Sequence, residues 1–486
     1  MNVVVVSNRV ARVEADGPMA GGLAAALLPA VKSFGAVWVG SSGRTRKLAS
    51  KDSFAEVEAF GKGALATVDL PESQYKGYYE GFSNSALWPA LHSRADLIRS
   101  TEEDYACYRE INAYMARALL RFCKPDATYW VQDYHFLALG AELRRLGVDQ
   151  PIGFFLHTPW ADRSSMICVP QHKNLVRAML AYDLIGFQTD DDRHNFVDYL
   201  RNELRLAATD DGVTSEHGTC RFGTFPIGID VDAFAARSAK AVTSSEVARL
   251  RQSLQGNKLV IGVDRVDYSK GLCNRMRAFD RLLTVQPNWK RQVRYVQIAV
   301  PSRGNIGPYK ELQAELAATV GEINGRHGEI DWTPIRYLNK GFSQASLAGF
   351  YRSAQVGLVT PLHDGMNLVA KEYVAAQNPA DPGMLVLSQF AGAAKELDTA
   401  LLVNPHDIDA IAQRIATALR MSGDERRERW NAMMNTLRTH SVHAWFSEFV
   451  DALSTSRETL EPAAEPTLVP AVGGRTYVRR SVERFS

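Results

Sequence analysis

The sequence predicts an α/β protein of two doubly wound domains, each on a parallel sheet, and three observations carry that prediction. Short apolar runs alternate with longer amphipathic stretches along most of the chain. The alternation restarts near Phe225–Asp232. The length, 486 residues, suits roughly three domains or two large ones at about 150 residues each. Strands that alternate with helices of this length must be joined by crossovers, and crossovers give parallel pairing.

Taken in order, Asn2–Val6 reads as a buried strand, Gly22–Ser33 as a helix opened by a glycine pair, and Ala36–Val39 as a second strand. Thr101–Phe122 reads as a helix. Thr101 and Asp104 form a capping box, and Tyr105, Tyr108, Ile111, Met115, Ala118, Leu119 and Phe122 recur at helical spacing. Tyr129–Gln132 and Ile152–Leu156 are strands followed by polar residues, and Leu184–Gln188 and Gly223–Pro226 continue the series. Beyond Ile227-Gly228-Ile229-Asp230 it begins again. Ser244–Leu254 is helical, with Thr243 and Glu246 as its capping box. Leu259–Val263, Val293–Val300, Ile335–Leu338, Val356–Thr360, Met384–Ser388 and Ala400–Val403 are strands. Gly271–Leu283, Tyr309–Asn324, Gln344–Ser353, Leu368–Gln377 and Ile408–Met421 are the helices between and after them. No Ser/Gly linker marks the restart, so the domains are expected to face each other across a cleft. Doubly wound sheets bind ligands at the carboxyl ends of their strands, which places the site in that cleft.

Composition removes several classes of function. Lys+Arg 56 against Asp+Glu 54 leaves +2, too little for an overall field that would hold nucleic acid or an anionic membrane. With 46% hydrophobic residues the chain can bury a large core, which excludes bulk disorder. Cys107, Cys123, Cys168, Cys220 and Cys273 are scattered and never form a CxxC pair, so neither a disulfide framework nor a zinc knuckle is expected. The start, MNVVVVSNRV, has no basic region before its apolar run and does not read as a signal peptide. The longest mostly apolar stretch, Met19 to Val31, is too short to span a bilayer. A soluble cytoplasmic protein is the expectation.

Two segments of the second half carry chemistry. In Val263-Asp264-Arg265-Val266-Asp267-Tyr268-Ser269-Lys270-Gly271, two cations stand between a strand and a helix N-terminus, an arrangement suited to a pyrophosphate. Alone, this segment reads equally well as a surface ion cluster. In Thr360-Pro361-Leu362-His363-Asp364-Gly365-Met366-Asn367-Leu368 a strand ends, a glycine turn follows and a helix begins, so the N–H groups of Met366, Asn367 and Leu368 would face an anion. Glu372, one turn on, suits ribose hydroxyls. Asp-Gly before a helix is a common turn, but the two segments together favour a nucleotide. No GxxxxGK[ST] loop, no GxGxxG after the first strand and no HExxH or Cys-rich spacing occurs, which points to a nucleotide that leaves rather than one that carries hydride. The first half offers Ser7-Asn8-Arg9, Gly21-Gly22, Tyr79, Trp88, Asp133, His135 and His157, mostly beyond strand ends. A single histidine after a strand is commonly a structural hydrogen-bonder and a single aromatic pair is commonly core; together they read as the other wall of the cleft.

SNRV with its following GG, the Tyr79–Trp88 segment, VQDYH, GFFLH, RVDYSKGL, SRGN and PLHDGMNLVAKEYVAAQNP…LVLSQFAGAA resemble the trehalose-6-phosphate synthases, glycosyltransferase family 20, from about residue 2 to about 455. The resemblance implies a GT-B fold: two facing Rossmann-like domains, with a deep cleft, over 1–228 (acceptor) and 229–442 (nucleotide sugar). A C-terminal helix over 443–460 is expected to pack back on the first domain, followed by a flexible tail over 461–486. It implies a retaining transfer of glucose from a nucleoside-diphosphate glucose, UDP-glucose by default, to glucose 6-phosphate, without a cofactor or metal.

Carried over by position, the donor site is Gly21, Gly22, Arg265, Lys270, Phe342, Asp364, Gly365, Met366, Asn367, Leu368 and Glu372. Arg265 and Lys270 would hold the diphosphate and Glu372 the ribose, while Asp364 and His157 would contact the transferred sugar. Asp364, His157, Arg265 and Lys270 are the catalytic set. The acceptor would lie on Arg9, Tyr79, Trp88, Asp133 and Arg303, with both arginines on its phosphate. His363, Asn305, the stretch after His157 and Val39-Gly40-Ser41 depart from the family's usual pattern. Two alternatives stand beside the main expectation: another phosphorylated acceptor such as glycerol 3-phosphate, and a non-catalytic sugar-phosphate sensor. Members of the family often associate as dimers or tetramers.

Overall fold

The computed structural model describes residues 2–10, 21–47 and 55–457. The expected tail over 461–486 and the end of the expected helix, 458–460, lie outside the described residues.

Among the described residues, fifteen strands form two sheets. The first contains β1 (Asn2–Arg9), β2 (Val37–Arg46), β3 (Ala55–Phe60), β4 (Gly63–Pro71), β5 (Ala127–Gln132), β6 (Ile152–Phe155), β7 (Leu184–Phe187), β8 (Gly212–Ser215) and β9 (Gly218–Thr224). Its order is β3-β4-β2-β1-β5-β6-β7-β9-β8. The second contains β10 (Lys258–Arg265), β11 (Val293–Val300), β12 (Ile335–Leu338), β13 (Val356–Val359), β14 (Met384–Ser388) and β15 (Leu401–Val403), in the order β12-β11-β10-β13-β14-β15. Each sheet reverses winding direction beside its first strand, between β1 and β5 and between β10 and β13. Such a reversal opens a crevice at the strand ends.

The second sheet is parallel throughout. The first is mixed, which corrects the expectation of two parallel sheets. β3 runs antiparallel to β4 and β8 antiparallel to β9. The turns Gly61-Lys62 and Glu216-His217 are too short for a crossover, and a two-residue connection can only reverse the chain. Strands buried on both faces, such as β5, β13 and β14, are continuous apolar runs with burial at every position.

Thr101 caps its helix as expected, accepting from Asp104 N at 3.0 Å, and the helix runs Glu102–Leu119. The next expected capping box is displaced by one residue. Ser244, not Thr243, caps Ser245–Leu254 by accepting from Val247 N, while Thr243 Oγ1 donates to Lys240 O. Glu246 accepts instead from Ser346 Oγ of a neighbouring helix. Local hydroxyls compete for the same N–H, and the tertiary partner of Glu246 decides between them.

The chain crosses between the sheets near 225–230 and returns near 440, and both crossings are pinned by one buried ion pair. Lys371 Nζ donates to Ile227 O at 2.7 Å and pairs with Glu396, whose other oxygen meets His440 Nδ1 at 2.7 Å. After the return, the helix Val442–Thr455 lays Trp445 and Phe449 against Trp130 of β5, with ring centroids 4.6 Å apart in both cases. Phe446 stacks on Phe34 at 4.4 Å. These aromatics bury their apolar area on the back of the first sheet and seat this helix there.

Candidate active site

At the end of β10 the chain turns through Val266–Lys270 into the helix Leu272–Val285, and at the end of β13 it turns through Thr360–Asn367 into the helix Leu368–Ala376. The two loops are joined, since Leu362 N donates to Ser269 O at 2.7 Å. Gly271 sits at φ +63 where a Cβ would lie 2.5 Å from Thr360 O, so only glycine lets the loops approach this closely.

Lys270 Nζ and Asp364 Oδ2 form a 2.5 Å ion pair, with side chains 12% and 13% exposed, and Asn367 Nδ2 donates to the same oxygen at 2.9 Å. Burial raises the Asp364 pKa, but the Lys270 charge and these hydrogen bonds hold its carboxyl below the usual range. It is a carboxylate at neutral pH. Asn367 adopts φ +77 and caps its helix, its Oδ1 accepting from Ala370 N at 3.2 Å.

Glu372 lies deeper on that helix. Burial raises its carboxyl to about 7, with Arg237 and Tyr351 pulling the other way. Phe342, half-buried, carries Lys340 Nζ at 5.0 Å over its ring and packs edge-on to Phe350. Gly21 and Gly22 are the first residues of the helix Gly21–Phe34.

The facing wall comes from the strand ends of the first sheet and from one loop of the second domain. Trp88 is 6% exposed and lies under two guanidinium groups, Arg303 at 3.9 Å and Arg265 at 5.5 Å. Arg303 donates to Tyr309 OH at 2.6 Å and Tyr134 OH at 3.0 Å, and pairs with Asp267 at 3.3 Å. Burial opposes its charge, yet Tyr134, Tyr309 and Asp267 hold its pKa well above normal. Tyr79 stacks on His135, with centroids 5.9 Å apart, and burial pushes His135 down to about 3, so it is neutral.

Asp133, at φ +73, accepts from His157 N at 3.2 Å, and burial raises it to about 6 against those main-chain bonds. His157 Nε2 lies 2.8 Å from Gln132 Oε1, an acceptor, so that nitrogen carries the proton. Nδ1 faces Gln188 Nε2 at 3.5 Å, and burial lowers the ring to about 3. Gln188 cannot turn round, because its Oε1 accepts from Ile227 N at 3.0 Å.

The two walls touch. A Cβ on Gly365 would stand 2.2 Å from His157 O, so the Asp364–Asn367 turn rests directly on the first domain. Asn305 Nδ2 donates to Glu80 Oε1 at 2.9 Å across the same cleft.

Of the residues expected from sequence, Lys270, Asp364, Gly365, Met366, Asn367 and Leu368 form one cluster, and Trp88, Arg265 and Arg303 form another beside it. Asp133 and His157 adjoin. Arg9 stands at the exposed end of β1, its guanidinium beside Gly43 and near Tyr75, which stacks on Tyr79. Sequence reasoning missed Asp267, Tyr134, Gln132, Gln188 and Tyr309. Asp267 and Tyr134 lie inside RVDYSKGL and VQDYH and were within reach. Gln132 and Gln188 end or follow apolar strands. Tyr309 carries no local signal at all.

Comparison with known proteins gives the site a family. The family model Glycosyltransferase family 20 matches residues 4–455. Trehalose-6-phosphate synthase of Sinorhizobium fredii is 43% identical over 459 residues, 94% of this chain and 99% of the relative. The α,α-trehalose-phosphate synthase (UDP-forming) of Burkholderia xenovorans, solved in complex with glucose-6-phosphate, is 42% identical. It covers 93% of this chain and 100% of that chain, with TM-score 0.89. The E. coli protein bound with UDP-2-fluoro glucose is 40% identical and covers 93% and 99%, with TM-score 0.86. The fold expected from the motifs, two facing α/β domains of the GT-B type, is the fold of these structures. With the match running through both sheets and both walls of the cleft, the chain belongs to glycosyltransferase family 20, a family of glycosyl-transferring enzymes.

Proposed function

We propose that the enzyme transfers glucose from UDP-glucose to glucose 6-phosphate with retention, yielding α,α-trehalose 6-phosphate and UDP. The observation that carries this reading is the presence in one cleft of two cation sites, Lys270 on the Asp364–Asn367 turn and Arg265 with Arg303 over Trp88. A nucleotide sugar and a sugar phosphate each need one. The complexes solved for the Burkholderia and E. coli relatives, with glucose-6-phosphate and UDP-2-fluoro glucose, support the choice of substrates.

In this reading the diphosphate lies on Arg265, Lys270 and the amides of Gly365–Leu368, with Gly21 and Gly22 closing over it. Phe342 lies by the base and Glu372 takes the ribose hydroxyls. Asp364 and His157 hold the transferred glucose. The acceptor's phosphate meets Arg303 and Arg9, and its ring meets Tyr79, Trp88 and Asp133. Negative charge grows on the diphosphate as the glycosidic bond breaks, and Lys270 and Arg265 are in place before it appears. A diphosphate oxygen takes the acceptor's hydroxyl proton, so attack and departure share one face of the sugar. Asp364, committed to Lys270 and Asn367, orients hydroxyls rather than acting as a nucleophile. No cofactor or metal takes a part. The division of labour follows the two sheets, with 1–228 offering most of the acceptor wall and 229–442 the nucleotide wall. Substrates of this kind place the enzyme in the cytoplasm.

The experiment is a matrix of nucleotide-glucose donors against sugar-phosphate acceptors, with products identified by mass and linkage. UDP-glucose with glucose 6-phosphate is expected to give the highest kcat/KM and an α,α-1,1 linkage. Preference for glycerol 3-phosphate, or no release of nucleoside diphosphate with any pair, would overturn the reading.

A further inference from the structure

Among the described residues, Asp267 is a fully buried carboxylate that lies between Arg303 and the loop of Lys270, and the reading above gives it no task. It is 0% exposed. Its Oδ2 lies 3.3 Å from Arg303 Nη1, and its Oδ1 accepts from Ser269 N at 3.1 Å and faces Trp88 Nε1 at 3.4 Å. Ser269 immediately precedes Lys270. A single side chain therefore ties the loop of the diphosphate lysine, the arginine that follows β11 and an aromatic of the opposite domain. The charges of Arg303, Arg265 and Lys270 hold its carboxyl below the normal range although burial opposes this, so it stays ionised at neutral pH.

Arg303 needs such a tether. It sits at φ +50, a conformation that costs backbone energy, and its buried Nε has no partner among the described residues. Its Nη1 is shared by Tyr309 and Asp267 and its Nη2 is taken by Tyr134, so the fork is aimed by side chains rather than by its own main chain. The two tyrosines are neutral. Of these three hydrogen-bonded partners only Asp267 is charged.

We infer that Asp267 is a positioning residue that aims Arg303 at the acceptor's phosphate and, by binding Trp88 as well, sets the preference for a phosphorylated over an unphosphorylated acceptor. This rests on the proposal that Arg303 meets that phosphate. With no exposed surface, Asp267 acts through Arg303 and Trp88 rather than by contact with a substrate.

The test is the ratio of kcat/KM for glucose 6-phosphate to that for glucose, measured in wild type, Asp267→Asn, Arg303→Ala and the double variant. Asn has the shape of Asp but cannot offer Arg303 a charge. The expected result is a ratio lowered about tenfold by Asp267→Asn, the order of a charge-assisted contact. On the Arg303→Ala background the same change should move the ratio by less than about twofold, because a positioning residue has nothing left to position. General damage to the fold would slow both acceptors alike and leave the ratio where it was. If Asp267→Asn does not fold, Asp267→Ser, which can still accept the Ser269 N–H, is read in the same way. A wild type with no preference for glucose 6-phosphate overturns the proposed function. A wild type with the preference and an Asp267→Asn that keeps it overturns the role of Asp267 alone, as would single effects that simply multiply in the double variant.

Discussion

The two walls of the cleft are built on different plans. The charged groups of the proposed nucleotide wall, Arg265 at the end of β10, Lys270 and Asp364 in the loops beyond β10 and β13, and Glu372 on a helix, all belong to the second domain. The acceptor wall has no such unity. Trp88, Asp133 and Tyr134 come from the first domain, while Arg303, Tyr309 and Asp267 come from the second, and the cluster exists only where the domains meet. One wall is a property of a domain and the other of an interface. Nucleotide recognition should therefore tolerate small changes in domain packing that acceptor recognition does not. Coupling between the substrates would pass through the contact of Gly365 with His157 and through the Asp267 cluster.

The sharpest way to break the nucleotide wall is Lys270→Ala. It removes a cation matched to the leaving diphosphate and strands Asp364 without its partner, so kcat should fall by roughly 10²–10³ or more. Steady-state kinetics that show only a higher KM for the donor would contradict that role.

Gly365→Ala attacks the seam instead. Its Cβ would stand 2.2 Å from His157 O and push the walls apart. A shift of about an ångström can cost about 10² in rate, and here it should be shared equally by phosphorylated and free acceptors. Thermal melting should move less than the rate, because the clash falls on the contact between the Asp364–Asn367 turn and His157 rather than within either sheet. A large loss of stability with normal turnover would show that the seam is structural only.

Glu372→Gln is the mildest change, weakening UDP by about tenfold in calorimetry, since an amide accepts ribose hydroxyls less well than a carboxylate. The gap should depend on pH. Burial places the Glu372 carboxyl near 7, so the better-accepting carboxylate form grows as pH rises through that value. The ratio of variant to wild-type Kd is therefore expected to increase from about pH 6 to about pH 8. Titration of UDP itself cancels in the ratio. A ratio flat with pH would remove Glu372 from the ribose site.

The same contrast governs what the sequence discloses. On the second sheet, β11, β12, β14 and the helix Gln344–Ser353 fall on the residues predicted, and β11 and β14, buried along nearly their whole length, are mostly apolar runs bounded by turn residues. The edges of the first sheet were not legible. β3 carries the exposed Glu56 and Glu58 and is joined to β4 by a two-residue turn, so no apolar run marks it. Lys76–Leu87 is a π-helix whose wider turn defeats a 3.6-residue pattern, and side chains close it: Asn84 Nδ2 donates to Tyr79 O and Ser85 Oγ to Glu80 O. In the site, Arg265, Lys270 and Asp364 were readable because charge beyond an apolar strand is conspicuous. The glutamines that orient His157 were not, because their partner lies far away in sequence.

The account turns on the acceptor wall, and the most direct test of it is the acceptor preference of Arg9→Ala and Arg303→Ala with UDP affinity measured on the same samples. Each charge-assisted contact is worth about 1.5–3 kcal/mol, so losing either arginine should narrow the kcat/KM preference for glucose 6-phosphate over glucose by roughly tenfold to a hundredfold. UDP affinity should stay unchanged, because neither arginine belongs to the nucleotide wall. Equal loss of activity with both acceptors, or a matching loss of UDP binding, would contradict a phosphate site assembled from both domains.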